Sequence, residues 1–265
     1  MSPSLRLRSS SRTRRLPGLP SPGIRLGLAL LMSLGLACLT AAFAPARAAP
    51  DPIPIESYHD VEGVPTSYLG TPALALELTS GEQARQLAGA GGNRPTFAVV
   101  PGLFANGVIE VDVAGDLNGR GGADARGFAG LVFRLGEDER FDAVYLRFSN
   151  GSLNQPPPPA PRHQRAIQYI SHPDFHFDVS RAIAPGVYEQ AAPVSLSRWH
   201  RLRLDINGPR LIASVDGEVV LRVDDLRLDR PGRIALWVGD GTRAYFANLR
   251  ITPTPDQPRA SAAPN

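Results

Sequence analysis

Two carboxylates at alternate positions of one β-strand lie on the same face. Held about 5–5.5 Å apart, such a pair can serve as nucleophile and acid on a glycosidic bond. Glu110 and Asp112 in "IEVDVAGD" have that spacing, but Ala114 and Gly115 stand where a third acid would complete the pattern. They read as a solvated strand face, and no catalytic residue is assigned. There is no G-x-S-x-G, and the single cysteine, Cys38, lies in the N-terminal leader described below. Two stretches could hold a metal. "DLNGRGGAD" (116–124) puts Asp116, Asn118 and Gly121 at the first, third and sixth positions of a calcium loop. Arg120 occupies a ligand position there, so it reads as a glycine-rich hairpin loop. "HPDFHFD" places His172, Asp174, His176 and Asp178 on one side of the chain if it is extended, but reads better as an exposed loop. No metal and no cofactor is expected. His59, His163 and His200 stand alone.

Binding chemistry is more legible in "FDAVYLRFSNG" (141–151). Val144, Leu146 and Phe148 make one apolar row of a strand. The other row, Phe141, Ala143, Tyr145, Arg147 and Ser149, begins apolar and ends polar. An aromatic ring beside a guanidinium fork suits a sugar, whose C–H faces pack on rings and whose hydroxyls meet polar groups. Arg147 could equally be a structural clamp, paired with Glu189 or Asp142. A buried charge needs a partner in either case.

Charge narrows the partners. The 28 basic residues are all arginines, seven of which precede Ala49, whereas all 25 acids follow it. From Ala49 on, 21 arginines face 25 acids, a net charge of −4, which gives no electrostatic footprint for nucleic acid. The leader, residues 1–48, is arginine-rich, then apolar from Leu26 to Phe43, then small at Ala46-x-Ala48. That is the order of a cleaved secretory signal peptide, so an exported protein of the bacterial periplasm or exterior is expected, with no membrane span in its mature form. An uncleaved anchor, a twin-arginine signal at "TRRLPGL" and a lipoprotein signal at Cys38 are weaker readings. Without further cysteines the mature chain has no disulfide.

The elements that must position these residues are strands. "ALALELT" (73–79), "PTFAVV" (95–100), "GVIEVDVAG" (107–115), "GFAGLVFRLG" (127–136), "FDAVYLRFS" (141–149) and "RAIQYIS" (165–171) come first. "WHRLRLDI", "RLIASVDGEVVLRV", "GRIALWVG" and "AYFANLRIT" then alternate cleanly. Asp216-Gly217 is a hairpin turn and Asn207-Gly208 a similar signal. "GEQARQLAG" (81–89) is the only helical candidate, and "QPPPPAPR" (155–162) must be a stiff surface loop. Ten or so short strands predict an all-β antiparallel sandwich or jelly roll. The expected domains are an extended lead-in over 49–66, the sandwich over 67–252 and a proline-rich, disordered tail over 253–265.

The stretch "WHRLRLDINGPRLIASVDGEVVLRV…GRIALWVGDGTRAYFANLRIT" resembles the final strands of concanavalin A-like lectin/glucanase sandwiches, a group that includes laminin G-like and 3-keto-disaccharide hydrolase-like domains. The resemblance spans roughly residues 105–252. The middle is similar to a bacterial secreted subgroup with a "YLR-x-x-NG…QY…P…R…P-x-x-YE" series. Here Tyr145, Leu146, Arg147, Asn150, Gly151, Gln168, Tyr169, Pro173, Arg181, Pro185, Tyr188 and Glu189 match it, and Arg165 stands where the subgroup carries a histidine. The resemblance implies a concanavalin A-like fold. It further implies a glycan partner in the cleft of a concave sheet, bound by Tyr145, Arg147, Asn150, Gln168, Tyr169, Arg181, Tyr188 and Glu189. Laminarinase-type members carry the E-x-D-x-(x)-E strand that is incomplete here. Three functions stay open: a carbohydrate-binding sandwich, a glycoside-acting hydrolase or lyase (on 3-keto-glycosides, if the related domain's name is a guide), and a structural or adhesive sandwich without a small ligand.

Overall fold

In a computed structural model that describes residues 52–89 and 94–254, the alternation read from the sequence becomes two layers. Three strands open the chain: β1 (Ser57–His59), β2 (Val61–Tyr68) and β3 (Thr71–Leu78). A short helix, α1 (Ser80–Leu87), follows; Thr79 caps it by accepting from Glu82 N. Next come β4 (Phe97–Phe104), β5 (Gly107–Leu117), β6 (Phe128–Leu135), β7 (Phe141–Arg147) and β8 (Ile167–His172). A second helix, α2 (Phe177–Ile183), leads to β9 (Glu189–Gln190). The last five strands are β10 (His200–Asn207), β11 (Arg210–Val215), β12 (Glu218–Val223), β13 (Gly232–Val238) and β14 (Thr242–Pro253).

Pairing is antiparallel throughout. One seven-stranded sheet, here the site sheet, has the order β1-β4-β13-β6-β7-β8-β9. The other, the back sheet, has the order β12-β11-β10-β5-β14-β3-β2. This is the expected antiparallel sandwich. Its core lies between the sheets. Leu202, Leu204 and Ile206 of β10 point inward, while Arg201 and Asp205 point to solvent, and the inner row of β7 and its continuation, Val144, Leu146 and Phe148, is fully buried opposite them. Burying such a row is the main favourable term in folding.

Several boundaries differ from the sequence reading. The sandwich begins before residue 67, because β1 pairs with β4 and β2 pairs with β3. β2 carries Gly63 and Pro65 and alternates weakly, which only an edge strand tolerates. Asp216 and Gly217 both have positive φ (51° and 88°) and join β11 to β12 as a two-residue hairpin. In the preceding hairpin Asn207 pairs with Arg210, so the turn residues are Gly208 and Pro209. The 155–162 stretch forms no strand. The leader with Cys38, residues 49–51 of the lead-in and residues 255–265 of the tail lie outside the described residues. Among the described residues, no helix is long and apolar enough to cross a membrane.

Candidate functional site

Strand register builds the site. Across the site sheet, Trp237 pairs with Gly130, Gly130 with Tyr145, Tyr145 with Gln168, and Gln168 with Glu189. Because residues in one transverse row share a face, these five line up on the side of the sheet turned away from the sandwich core. Gly130 is what lets the row close up. A Cβ there would lie 2.2 Å from Val144 O and 2.8 Å from Tyr145 Cβ. With no side chain between them, the rings of Trp237 and Tyr145 meet at 4.7 Å. Phe128, one row along and paired with Arg147, stands edge-on to both rings at 6.2 and 6.4 Å.

This row answers why β7 is apolar on both faces: both faces are covered. Phe97, Val99, Val132, Phe141, Ala143, Tyr145, Ile170 and Ala235 form a second, smaller apolar cluster on the outer side. Above it opens a cavity of about 550 Å³, walled by Phe128, Tyr145, Ile170, Phe177 and Trp237 and by a set of arginines. Tyr145 is only 5% exposed, so the ring surface left open is that of the exposed Phe177 and the half-buried Trp237 and Phe128. Burial raises the pKa of the Tyr145 hydroxyl, and nearby Arg147 opposes the rise.

The polar side of the cavity is organised around one carboxylate. Glu189 accepts from Arg181 Nε and Nη2 at 2.7 and 2.6 Å and from Arg147 Nη1 at 3.4 Å, with Arg165 Nε at 3.2 Å. Arg147 also donates to the Tyr145 hydroxyl (2.9 Å), Gln168 Oε1 (3.2 Å) and Arg165 O (3.2 Å). The hydrogen bonds to Glu189 raise the pKa of Arg181. Asn150 donates to Arg165 O and accepts from Arg162 Nε, tying the turn after β7 to the loop before β8. Arg147 thus makes the contacts of a structural clamp and also lines the cavity. Asp142, its other suggested partner, points to the opposite face and bonds Tyr169.

The expected site residues divide by strand parity. Tyr145, Arg147, Asn150 and Arg181 line the cavity. Gln168 and Glu189 lie in the same network beneath it. Tyr169 and Tyr188 are not part of it. Each is next to a residue on the cavity side, so alternation turns it into the core, where Tyr169 donates to Asp142 and Tyr188 to Asp225. Phe128, Trp237, Arg126, Arg162 and Arg165 also line the cavity, although the sequence did not single them out for it. Trp237 was visible in "GRIALWVG", but only the register places it beside Tyr145.

The other candidates lie elsewhere. Glu110 and Asp112 sit on the back sheet, where Asp112 receives Arg201 Nε and Nη2 at 2.8 and 3.0 Å and Glu110 lies 3.3 Å from Arg203. In the 116–124 loop, Asp116 accepts from Tyr68 and Ser197, and Arg120 bonds Glu77. The 172–178 stretch is not extended: the chain turns back so that Ser171 pairs with Phe175, and α2 begins at Phe177. Asp174 pairs with Arg140, while His172 Nδ1 lies 3.2 Å from His176 Nε2. Burial, reinforced by His172, lowers the pKa of His176 to about 4. Among the described residues no three His, Cys, Asp or Glu side chains are grouped to hold a metal.

No protein-family model matches the chain. No curated protein matches it significantly either. Solved structures give distant likenesses. A carbohydrate-binding module from Bacillus subtilis is 13% identical over 74% of this chain and 98% of its own, with a TM-score of 0.45. A Bacillus subtilis protein of unknown function with a galectin-like fold is 12% identical over 74% and 88%, with a TM-score of 0.43. A Caenorhabditis elegans galectin is 14% identical over 60% and 92%, with a TM-score of 0.36.

Proposed function

We propose that this protein is an exported carbohydrate-binding sandwich that holds a glycan in the cavity on the outer face of its site sheet. The observation that carries this reading is the Trp237–Gly130–Tyr145–Gln168 row, which backs the partly open ring of Trp237 with the buried ring of Tyr145 and sets it in one cavity with fixed guanidinium donors. A sugar ring is apolar on its faces and polar at its edge, and a site of both kinds matches it. The resemblance of residues 105–252 to concanavalin A-like sandwiches agrees with this reading, and the leader supports export.

Binding is favoured over glycoside cleavage by what the acids already do. Of the carboxylates lining the cavity, Asp240 accepts from Gln83 Nε2 at 2.6 Å and Gly122 N at 3.0 Å, and Asp124 is fully exposed to water, without the enclosure that tunes a catalytic acid. Glu189 is held by arginines. A general acid or nucleophile has to be free to meet the glycosidic bond.

The test is a glycan array probed with the purified protein, followed by calorimetry on each hit. Trp237→Ala should abolish binding of a hit, and because Trp237 lies outside the main core the domain should stay folded with a lowered midpoint. Hits that bind Trp237→Ala as well as wild type would reject the cavity as the site. Intact mass of the protein from its native compartment tests export. A chain beginning near Ala49 or Pro50 is expected, and a full-length mass would contradict it.

A further inference from the structure

We propose that the glycan recognised here is acidic, carrying a uronate carboxylate or a sulfate ester that sits against the arginine side of the cavity. This rests on the cavity being a glycan site. What it adds is the ligand's charge, which the apolar floor does not determine.

The observation is an unbalanced set of cations. Arg126, Arg147, Arg162, Arg165 and Arg181 all line the cavity. Three of them, Arg147, Arg165 and Arg181, share the single carboxylate of Glu189. Arg162 is held through Nε by a neutral acceptor, Asn150 Oδ1, at 3.2 Å. Arg126 donates Nη1 to the carbonyls of Ala123 and Ala125 at 2.7 and 2.8 Å, and Nη2 to Asp124, whose side chain is fully exposed and well screened. Among the described residues, the ion-pair partners of these five guanidinium groups are thus Glu189 and one solvent-exposed aspartate. The groups crowd one another: burial first, then repulsion from Arg162 and Arg147, lowers the pKa of Arg126. The remaining charges of the lining are met by other partners: Arg94 by Asp60 and Glu82, and Asp240 by the neutral donors Gln83 Nε2 and Gly122 N. The surplus lines the cavity of a chain whose net charge from Ala49 on is negative.

A surplus of this kind is expensive to assemble without a ligand. Like charges in a partly buried wall repel at low effective dielectric, and the buried carboxylate of Glu189 is already shared among three of them. An oxyanion resolves the imbalance. The planar guanidinium fork matches a carboxylate or a sulfate edge with two parallel hydrogen bonds. A neutral sugar hydroxyl would leave the repulsion in place.

The test uses matched pairs: oligouronates with their carboxyl-reduced forms, and sulfated oligosaccharides with their desulfated forms, titrated by calorimetry at low and high salt. The acidic member of at least one pair should bind about tenfold or more tighter than its neutral counterpart, the size of one charge-assisted hydrogen bond, and should weaken with salt. Which pair shows the gap identifies the oxyanion. Arg162→Gln and Arg126→Gln lie outside the Glu189 clamp and should each cost about tenfold on the acidic ligand and little on the neutral one. Equal affinity within both pairs, with Trp237→Ala abolishing both, would overturn the acidic assignment and leave the glycan site standing. Inorganic sulfate or acetate binding as tightly as the acidic sugars would also overturn it, because the sugar would then contribute nothing. No binding by any member of either pair, with neutral glycans also failing on the array, would overturn the glycan site and the acidic assignment together.

Discussion

Glu189→Gln separates the role of the carboxylate from its shape. Glutamine keeps the volume but removes the charge, and it turns an NH₂ donor toward guanidinium groups that are themselves donors. Arg147, whose side chain is 6% exposed like that of Glu189, would lose its only anionic partner among the described residues. Breaking a buried ion pair from one side costs about 3–5 kcal/mol, because a charge is left uncompensated. Arg165 and Arg181 are 36% and 27% exposed, so water covers part of their loss, which places the expected cost near the lower end, about 3 kcal/mol. For a domain of this size each kcal/mol moves the midpoint by about 2–4 °C, so a fall of about 6–12 °C is expected. The assay is calorimetric or near-ultraviolet thermal unfolding, with Glu218→Gln on the exposed back edge as control. Added salt should narrow the gap between variant and wild type, since it screens the unpaired arginines. A fall no larger than the control's would show that Glu189 does not hold these arginines, and the description of the clamp would be wrong.

Other outcomes follow from the same geometry. Leu146→Ala, which empties a fully buried site in the main core, should cost about 2–5 kcal/mol of unfolding free energy in denaturant titrations, with glycan affinity changed far less. Gly130→Ala should lower stability by about 1–3 kcal/mol, because its methyl meets the Val144 carbonyl and forces β6 from β7; it should also weaken glycan binding by parting Tyr145 from Trp237. A midpoint equal to wild type would contradict the close approach. His176, whose pKa falls from its ordinary 6.5 to about 4 on folding, binds its proton more readily in the unfolded chain. Its contribution to stability is therefore complete above pH 6.5 and is lost as pH drops toward 4. Thermal midpoints across that window should fall less steeply in His176→Gln than in wild type.

What the sequence disclosed, and what it did not, divides along one physical line. Period-2 alternation is local, so the inner row of β7, the strands of the last third and the Asp216-Gly217 hairpin could be read directly. Register is not local. Nothing in "GRIALWVG" says that Trp237 will sit across Gly130 from Tyr145, and nothing in "RGFAGL" says that Gly130 is the gap between them. The arginines came from loops. Arg126, Arg162 and Arg165 lie in irregular segments whose side-chain directions no periodicity encodes. Tyr169 and Tyr188 follow a simpler rule: a motif groups adjacent residues, where an extended chain sends them to opposite faces. In the 172–178 stretch, expected as an exposed loop, Asp178 belongs to a helix that the polar, histidine-rich spelling gives no cause to expect.

The most direct measurement uses the two tryptophans of the chain. Trp199 lies away from the cavity, donating its indole N–H to Tyr68 O, so Trp199→Phe leaves Trp237 as the only indole and makes its emission a reporter on the cavity floor. Glycans do not fluoresce. Titrating this variant with a glycan identified on the array should shift and saturate the Trp237 emission, with the same midpoint that calorimetry gives. A glycan that binds by calorimetry while the Trp237 emission stays unchanged through saturation would place its site elsewhere and contradict the account.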